Sequence, residues 1–397
     1  MTTLNNFRGK VKKYHIHSSY CSRLILSTIL LACTVFDLSA ENGVCGDEIL
    51  IGQSCALSGP AQALGQGMKV GLNACFSEIN DAGGIKGKKI KLISMDDGYE
   101  PDKAIANTRK LIETDKVFLL IGEVGTPTSK AVVPLSEEAG VPFIGPFTGA
   151  GFLRDPAKKI LNVRGSYDQE MERLAQYLVD EKKLSKVACF YQNDGYGKVG
   201  LSGITKALKS RNLELVATGT YERNTTAVKG GLLKIRKAKP DAVVMVGAYK
   251  PCSAFIKVAK KAGLKKTIFC NISFVGTKAL HADLGSAGEG CIISQVVNYP
   301  WDDSLALHKD YHGALKKYAP DQEVGFVSLE GYMVGKLFTM VASQVEGDLT
   351  RKSFMATAEK VGVFDLGGVK LEYSSSDHQG MDEIFLTVIK DGKIVPL

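Results

Sequence analysis

Ile79-Asn80-Asp81-Ala82-Gly83-Gly84-Ile85-Lys86-Gly87 marks a place where a helix stops, the chain turns and a strand begins. Upstream, Leu64, Met68, Leu72, Cys75 and Ile79 recur three or four residues apart, the spacing of one apolar helical face. Gly83-Gly84 supplies the backbone freedom that closes such a helix. Lys89–Met95 then reads as a strand, and Glu48–Ala56, ahead of the helix, as another. Strand, amphipathic helix and strand follow one another within residues 48–95, the unit from which helix-covered parallel sheets are built.

The alternation continues outward. A helix from Pro101, proline suiting a first helical position, runs to Ile112 and leads to strand Val117–Ile121. Helix 127–139 and strand Val141–Pro146 close a first set. A second set runs helix Asp168–Asp180, strand Lys186–Tyr191, helix 197–211, strand Leu213–Thr220, helix 226–238, strand Asp241–Val246 and helix 252–263. Strand Thr267–Cys270, a short helix 276–283 and strand Gly290–Ser294 follow. Helices 302–318, 326–345 and 351–361 come next, then a hairpin of Glu383–Ile389 with Lys393–Pro396, turning at Asp391-Gly392. The expected class is α/β, with two doubly wound parallel-sheet lobes.

With 397 residues, 45% hydrophobic and 23% charged, the chain can build two domains with cores of their own, and fibrous or disordered classes are excluded. Half of the net charge of +8 falls in residues 1–40, where Arg8, Lys10, Lys12, Lys13 and Arg23 face one acid, Asp37. What remains is an ordinary solvated surface, so no nucleic-acid partner is expected. The basic residues precede an apolar run, Leu24–Phe36, and then Leu38-Ser39-Ala40, the order of a secretory signal peptide cleaved after Ala40. The alternative is a lipoprotein anchored through Cys33 in Leu30-Leu31-Ala32-Cys33. Export permits disulfides among the seven cysteines that follow Ala40. Cys45 and Cys55 are the expected pair, and Cys75, Cys189 and Cys270 the expected core thiols. No CxxC occurs, so no structural metal is expected.

Ligands of open α/β sheets bind beyond the carboxyl ends of the strands, where helix N-termini offer free N–H groups. Six segments stand there: Ser58-Gly59-Pro60, Gly125-Thr126-Pro127-Thr128-Ser129, Phe147-Thr148-Gly149, Asn193-Asp194-Gly195-Tyr196-Gly197, Ala248-Tyr249-Lys250-Pro251 and Asn271-Ile272-Ser273-Phe274. Thr126 before Pro127 reads as an N-cap with proline at the first helical position, a helix start suited to a carboxylate or another small anion. Any one segment is ordinary loop and capping chemistry. All six at matching strand ends, three from each lobe, point to a cleft between the lobes.

Several stretches carry a family resemblance: Leu57-Ser58-Gly59-Pro60 with Gly65 and Gly67, the Ile79–Gly87 block leading to Asp96-Asp97, and Ile121-Gly122 with Thr126 and Thr128. Asp194-Gly195-Tyr196-Gly197 and the closing Leu386-Thr387-Val388-Ile389-Lys390-Asp391-Gly392 belong with them. From Glu48 to its C-terminus the chain resembles the type I periplasmic binding proteins of the leucine/isoleucine/valine-binding family, the solute receptors of ABC importers. The resemblance implies two lobes joined by three crossings near Val163–Ser166, Asn298–Trp301 and Tyr373–Gln379. Lobe one is then about 45–163 plus 301–373, and lobe two about 166–297 plus 379–397. Thr126 aligns with the hydroxyl that holds the ligand carboxylate, Phe147 and Gly149 with neighbouring contacts, and Tyr196 and Tyr249 with tyrosines entering from the second lobe. Leu64 takes a position often held by an aromatic lid. Ser273 stands where amino-acid binders place an acid for the ligand ammonium, and Tyr99 and Gly125 replace cysteines that pair in well-known members.

Glu123, Asp194 and Glu330 are candidates for that missing countercharge. Glu330 also reads as a solvated helix-surface carboxylate, and Asp194 as a cap for the helix starting at Tyr196. Catalytic motifs are lacking: His308 and His312, without the glutamate of a zinc-protease motif, read as an exposed polar face, and no GxSxG or P-loop follows a strand. The expectation is a periplasmic solute-binding protein, not an enzyme, with no cofactor. It captures an amino acid, branched-chain-like, or a small amide or carboxylate by hinge closure, and presents it as a monomer to ABC permease membrane subunits. Alternatives are a sensing module for a chemoreceptor or kinase, and an exported α/β enzyme using Asp194, Glu330 and His378.

Overall fold

The structure, a computed structural model, describes residues 41–397. The expected signal peptide ending at Ala40 and the lipid-anchor alternative at Cys33 lie outside the described residues.

β1 (Val44–Cys45) folds back antiparallel on β2 (Glu48–Cys55). Then come α1 (Gln62–Asp81), β3 (Lys89–Asp96), α2 (Pro101–Arg109, prolonged by a wider turn over Lys110–Thr114) and β4 (Leu119–Ile121). α3 (Thr126–Glu138), β5 (Phe143–Ile144) and β6 (Ile160–Leu161) complete a first sheet, β3-β2-β4-β5-β6, parallel throughout apart from β1. The second lobe follows with α4 (Tyr167–Ala175), β7 (Val187–Gln192), α5 (Gly195–Lys209), β8 (Ala217–Tyr221) and α6 (Lys229–Ala238). β9 (Ala242–Val246), α7 (Tyr249–Lys261), β10 (Ile268–Asn271), α8 (Thr277–Leu284) and β11 (Ile292–Gln295) continue it. Every residue of β9 is buried, as a strand covered by helices on both faces must be.

The chain then returns to the first lobe with α9 (Ala306–Tyr318), α10 (Phe326–Gln344) and α11 (Arg351–Val361). A small antiparallel sheet of β12 (Val363–Asp365), β13 (Lys370–Ser374) and β14 (Asp377–Gly380) follows. Last, β15 (Phe385–Lys390) and β16 (Lys393–Pro396) form a hairpin that joins the second sheet, β16-β15-β11-β10-β9-β7-β8, with β15 antiparallel to β11. α1 and α10 cross backbone to backbone at Gly71 and Gly331. A Cβ on Gly71 would overlap the Ser328 carbonyl oxygen, and one on Gly331 the carbonyl of Met68.

Most elements fall within a few residues of their expected positions. The expected strand Leu213–Thr220 begins only at Ala217, and helix 302–318 only at Ala306. The sheet β12–β14 was unexpected, because each strand is short and shows at most two inward residues, such as Leu371 and Tyr373. It stays with the first lobe, where Asn162 N–H donates to His378 O at 2.8 Å, so the chain passes to the second sheet between Gly380 and Phe385, beyond the expected Tyr373–Gln379. The Cys45–Cys55 disulfide is also corrected: both thiols are free. Cys45 pairs across from Glu48 at one end of β2, and Cys55 ends that strand seven residues on, about 23 Å away at the rise of an extended chain. A disulfide needs Cα atoms within about 7 Å.

Candidate functional site

The start of α3 faces the second lobe, where Phe147 and Tyr99 beside it meet Phe274. Gly125 (φ +108°) is the N-cap, and Thr126, expected there, is instead the first helical residue with Pro127 behind it. The ring of Tyr99 fills the space a side chain at Gly125 would occupy, so a tyrosine–glycine contact stands at the two positions that the family resemblance links to paired cysteines. The first turn leaves amides without intrahelical acceptors, at the positive end of the helix dipole. Beside it, Thr126 Oγ1 lies 2.7 Å from Thr148 Oγ1, both buried. Thr128 is spent within the turn, its hydroxyl donating to Val124 O at 2.6 Å and Gly125 O at 3.0 Å.

Aromatic rings from the second lobe meet this helix start. Phe274 packs on Phe147 (centroids 5.6 Å apart), on Tyr196 (4.6 Å) and on Tyr99 (5.8 Å). Tyr167 packs on Tyr196 at 5.5 Å and against Gly149, where a Cβ would collide with its ring. Tyr196 Oη is buried without a hydrogen-bond partner, and Tyr167 Oη sits beside Thr148 without a well-directed one. Buried hydroxyls are rarely left so unless something else satisfies them. Burial raises both phenols above their ordinary range, so they stay protonated and can donate.

Arg164 closes one side, fully buried, its guanidinium over the Phe147 and Tyr167 rings at 5.1 and 5.8 Å. Nη2 donates to Glu170 Oε1 (3.1 Å) and to Ser273 Oγ, and Nη1 to Glu330 Oε1 (3.3 Å). The expectation of a solvated Glu330 is thus corrected: the carboxylate is 2% exposed, and α10 turns it toward Arg164 rather than outward. Arg164 and Glu170 carried no signal in the sequence, since their partners lie 166 and 103 positions away. Burial pushes the Glu330 carboxyl up to about 7, with Arg164 opposing.

The structure thus brings together Thr126, Phe147, Thr148, Gly149, Tyr196 and Ser273. Leu64 and Tyr249 meet the lobe boundary elsewhere. Leu64 packs against Gly276, and Tyr249 lies by the Ala63 backbone. Near them a cavity of about 260 Å³ runs between the start of α1, α8 and the start of α10. Ser58 is held outside this group, donating to Asp96 Oδ2 at 2.5 Å. Asp194 caps α5 as expected, accepting from Tyr196 N at 3.0 Å. Glu123 is buried beside Asp97 with Oε1 unpartnered, its carboxyl driven well above the usual range by burial. The His308–His312 pair is corrected too: His308 is buried with Nδ1 against Asp302 O, and His312 Nε2 lies 2.7 Å from Pro300 O. Because α9 starts late, the 298–305 passage folds back over both rings. His378 pairs with Glu359 at 3.3 Å, so the three residues of the acid–base alternative sit in separate networks.

The rim is latched across the lobes. Arg223 of the second lobe meets Glu100 of the first at 2.9 Å and Asp194 of its own at 3.2 Å. Asn224 donates to Gly98 O at 3.0 Å and Glu100 Oε1 at 2.7 Å, and Gln192 donates to Tyr99 Oη at 3.3 Å. Arg154 donates to Ala150 O, Arg164 O, Gly165 O and Gln379 Oε1, tying the segment before α4 to the end of β14.

A pH dependence follows from Glu330. Its carboxyl titrates near 4.5 when unfolded and about 7 when folded, so between these values the native state holds the extra proton and stability falls as pH rises. Asp97, raised to about 6 by burial, adds a loss of the same sign that is common to the wild type and a Glu330 variant. Urea unfolding of Glu330→Gln is therefore expected to show a flatter profile than wild type from pH 5 to 8. Parallel profiles would mean that Glu330 is ionised throughout.

Residues 48–393 match the model of a family described as periplasmic binding protein. The Leu/Ile/Val-binding protein of Escherichia coli (strain K12) is 24% identical over 291 residues, 73% of this chain and 78% of that protein. Among solved structures, a possible leucine/isoleucine/valine-binding protein from Rhodopirellula baltica SH 1 superposes with a TM-score of 0.84 at 34% identity, covering 88% of this chain and 96% of that one. A fatty acid ABC transporter substrate-binding protein from Thermomonospora curvata shares the fold, with a TM-score of 0.78 at 21% identity over 90% of this chain and 93% of its own. With two helix-covered parallel-sheet lobes and a family match running over residues 48–393, this chain belongs to the periplasmic binding protein family.

Proposed function

We propose that this protein is the solute receptor of an ABC importer, taking up a small carboxylate-bearing solute, an amino acid of branched-chain type, and presenting it as a monomer to the permease. The observation that carries this reading is the pair of buried hydroxyls of Thr126 and Thr148 at the start of α3, with the phenols of Tyr167 and Tyr196 closing from the second lobe. A carboxylate seated there accepts from the threonines and from free amides of the helix start. The phenols then donate from the other side, so the solute stabilises the closed form in proportion to its extra affinity for it. In this reading the lobes divide near residues 163, 301 and 380, and a leader ending at Ala40 directs the chain to the periplasm. Names of relatives that bind leucine, isoleucine and valine favour the amino-acid class.

The test is calorimetric titration with leucine, isoleucine and valine. Thr126→Ala is expected to cost about 1–3 kcal/mol of binding, the loss of a charge-assisted hydrogen bond. Unaltered affinity would remove this anchor from the mechanism.

A further inference from the structure

The charges around Arg164 do not balance. Glu170 spends both oxygens: Oε2 accepts from Ser273 N (2.7 Å) and Ser294 Oγ (2.5 Å), and Oε1 accepts from Arg164 Nη2 (3.1 Å) and Ser273 Oγ (2.9 Å). Glu330 has, among the described residues, one side-chain hydrogen-bond partner, Arg164 Nη1 at 3.3 Å on Oε1. The other cation nearby, the half-buried Arg154, gives its N–H groups to three backbone carbonyls and Gln379, not to Glu330. One guanidinium thus serves two buried carboxylates, and the spare acceptor capacity lies on the one carried by α10. A buried carboxylate without a full partner is costly, which is why the Glu330 carboxyl is pushed up to about 7, and a cation arriving with the solute favours its ionised form. On the second lobe, the residue at the equivalent edge is Ser273, which brings no charge and is already bonded to Glu170.

Resting on the cleft reading above, we infer that Glu330 is the acceptor for the α-ammonium group of the bound amino acid. The carboxylate end lies on Thr126, Thr148 and the start of α3, and the ammonium lies on the free oxygen of Glu330, with Arg164 keeping the carboxylate in place. Both charged ends of the solute are then held by the first lobe, and the second lobe adds Tyr196, Tyr167 and Phe274. The solute therefore docks on the first lobe of the open form before the second swings over it.

The experiment titrates wild-type protein with each of the twenty L-amino acids, and each binder again as its des-amino acid, which keeps the carboxylate and side chain but loses the ammonium. Wild type is expected to prefer the amino acid on the order of 10–100-fold, the worth of a hydrogen-bonded charge. Glu330→Gln is expected to erase that preference and Glu330→Asp to keep most of it, while Thr126→Ala weakens both probes alike. Equal binding of the two probes by wild type overturns the assignment without recourse to a variant. A preference surviving in Glu330→Gln overturns it as well, and so does a protein that binds none of the twenty. If Thr126→Ala leaves both probes unchanged while Glu330→Gln still removes the preference, the carboxylate anchor falls and Glu330 stands.

Discussion

Arg164→Met is expected to destabilise the protein by about 3–5 kcal/mol at neutral pH, the range for removing one partner of a buried ion pair. Methionine fills much of the arginine volume and stacks comfortably between Phe147 and Tyr167, so little of the loss is cavity. What remains is two carboxyl groups inside the protein with no cation between them, and Glu330, pushed up to about 7 even beside Arg164, takes up a proton there. Glu170 keeps its three hydrogen bonds from Ser273 and Ser294, but Glu330 loses the hydrogen bond from Arg164 Nη1. The double variant Arg164→Met/Glu330→Gln should accordingly be more stable than the single one, a non-additivity expected of residues in one network. Urea unfolding of both variants provides the measurement. A single variant within about 1 kcal/mol of wild type would mean that the carboxylates do not need this guanidinium.

Gly125→Ala has the second-largest expected effect, because two costs meet at one atom. The backbone there sits at φ +108° and ψ +151°, a region kept almost wholly to glycine where a side chain costs roughly 1–3 kcal/mol, and the new Cβ must displace the Tyr99 ring, an overpacking worth typically 1–3 kcal/mol. Tyr99 is itself braced by Phe274 and Gln192, so it cannot simply swing away. The start of α3 has to move instead, carrying Thr126 off its place beside Thr148, and solute affinity should fall with stability. Gly87→Ala is the matched control: its φ is +80°, yet nothing lies within 4 Å of its Cβ position, so it carries backbone strain alone. Equal losses in the two variants would show that the Tyr99 contact has no weight.

What the sequence disclosed follows from which signals are local. The apolar face of α1, the glycine stop at 83–84 and the alternation of strands with helices are encoded within a few turns of chain, and they yielded the fold. Thr126, Phe147, Thr148, Gly149, Tyr196 and Ser273 were legible because strand ends of an open sheet converge whatever their side chains. The Arg164–Glu170–Glu330 group was not: Glu330 lies 166 positions from Arg164, and Arg164 and Glu170, six apart, fall on either side of the start of α4, where no periodicity pairs them. Glu330 sits on a helix whose neighbours are nearly all buried, so an amphipathic reading gives it to solvent by default. Cys45 and Cys55 misled for the opposite reason: nearness in sequence across an extended strand is distance in space.

The placement of β15 and β16 bears on how the molecule is made. β11 is bordered on one side by β10 and on the other only by β15, which the ribosome delivers nearly a hundred residues later (roughly five to twenty seconds at ordinary synthesis rates). During that interval Ile292, Ile293, Ser294 and Gln295 form a bare strand border that any passing extended peptide could zip onto. The second lobe therefore completes itself last, and a nascent chain arrested before residue 385 is sticky where the finished protein is sealed.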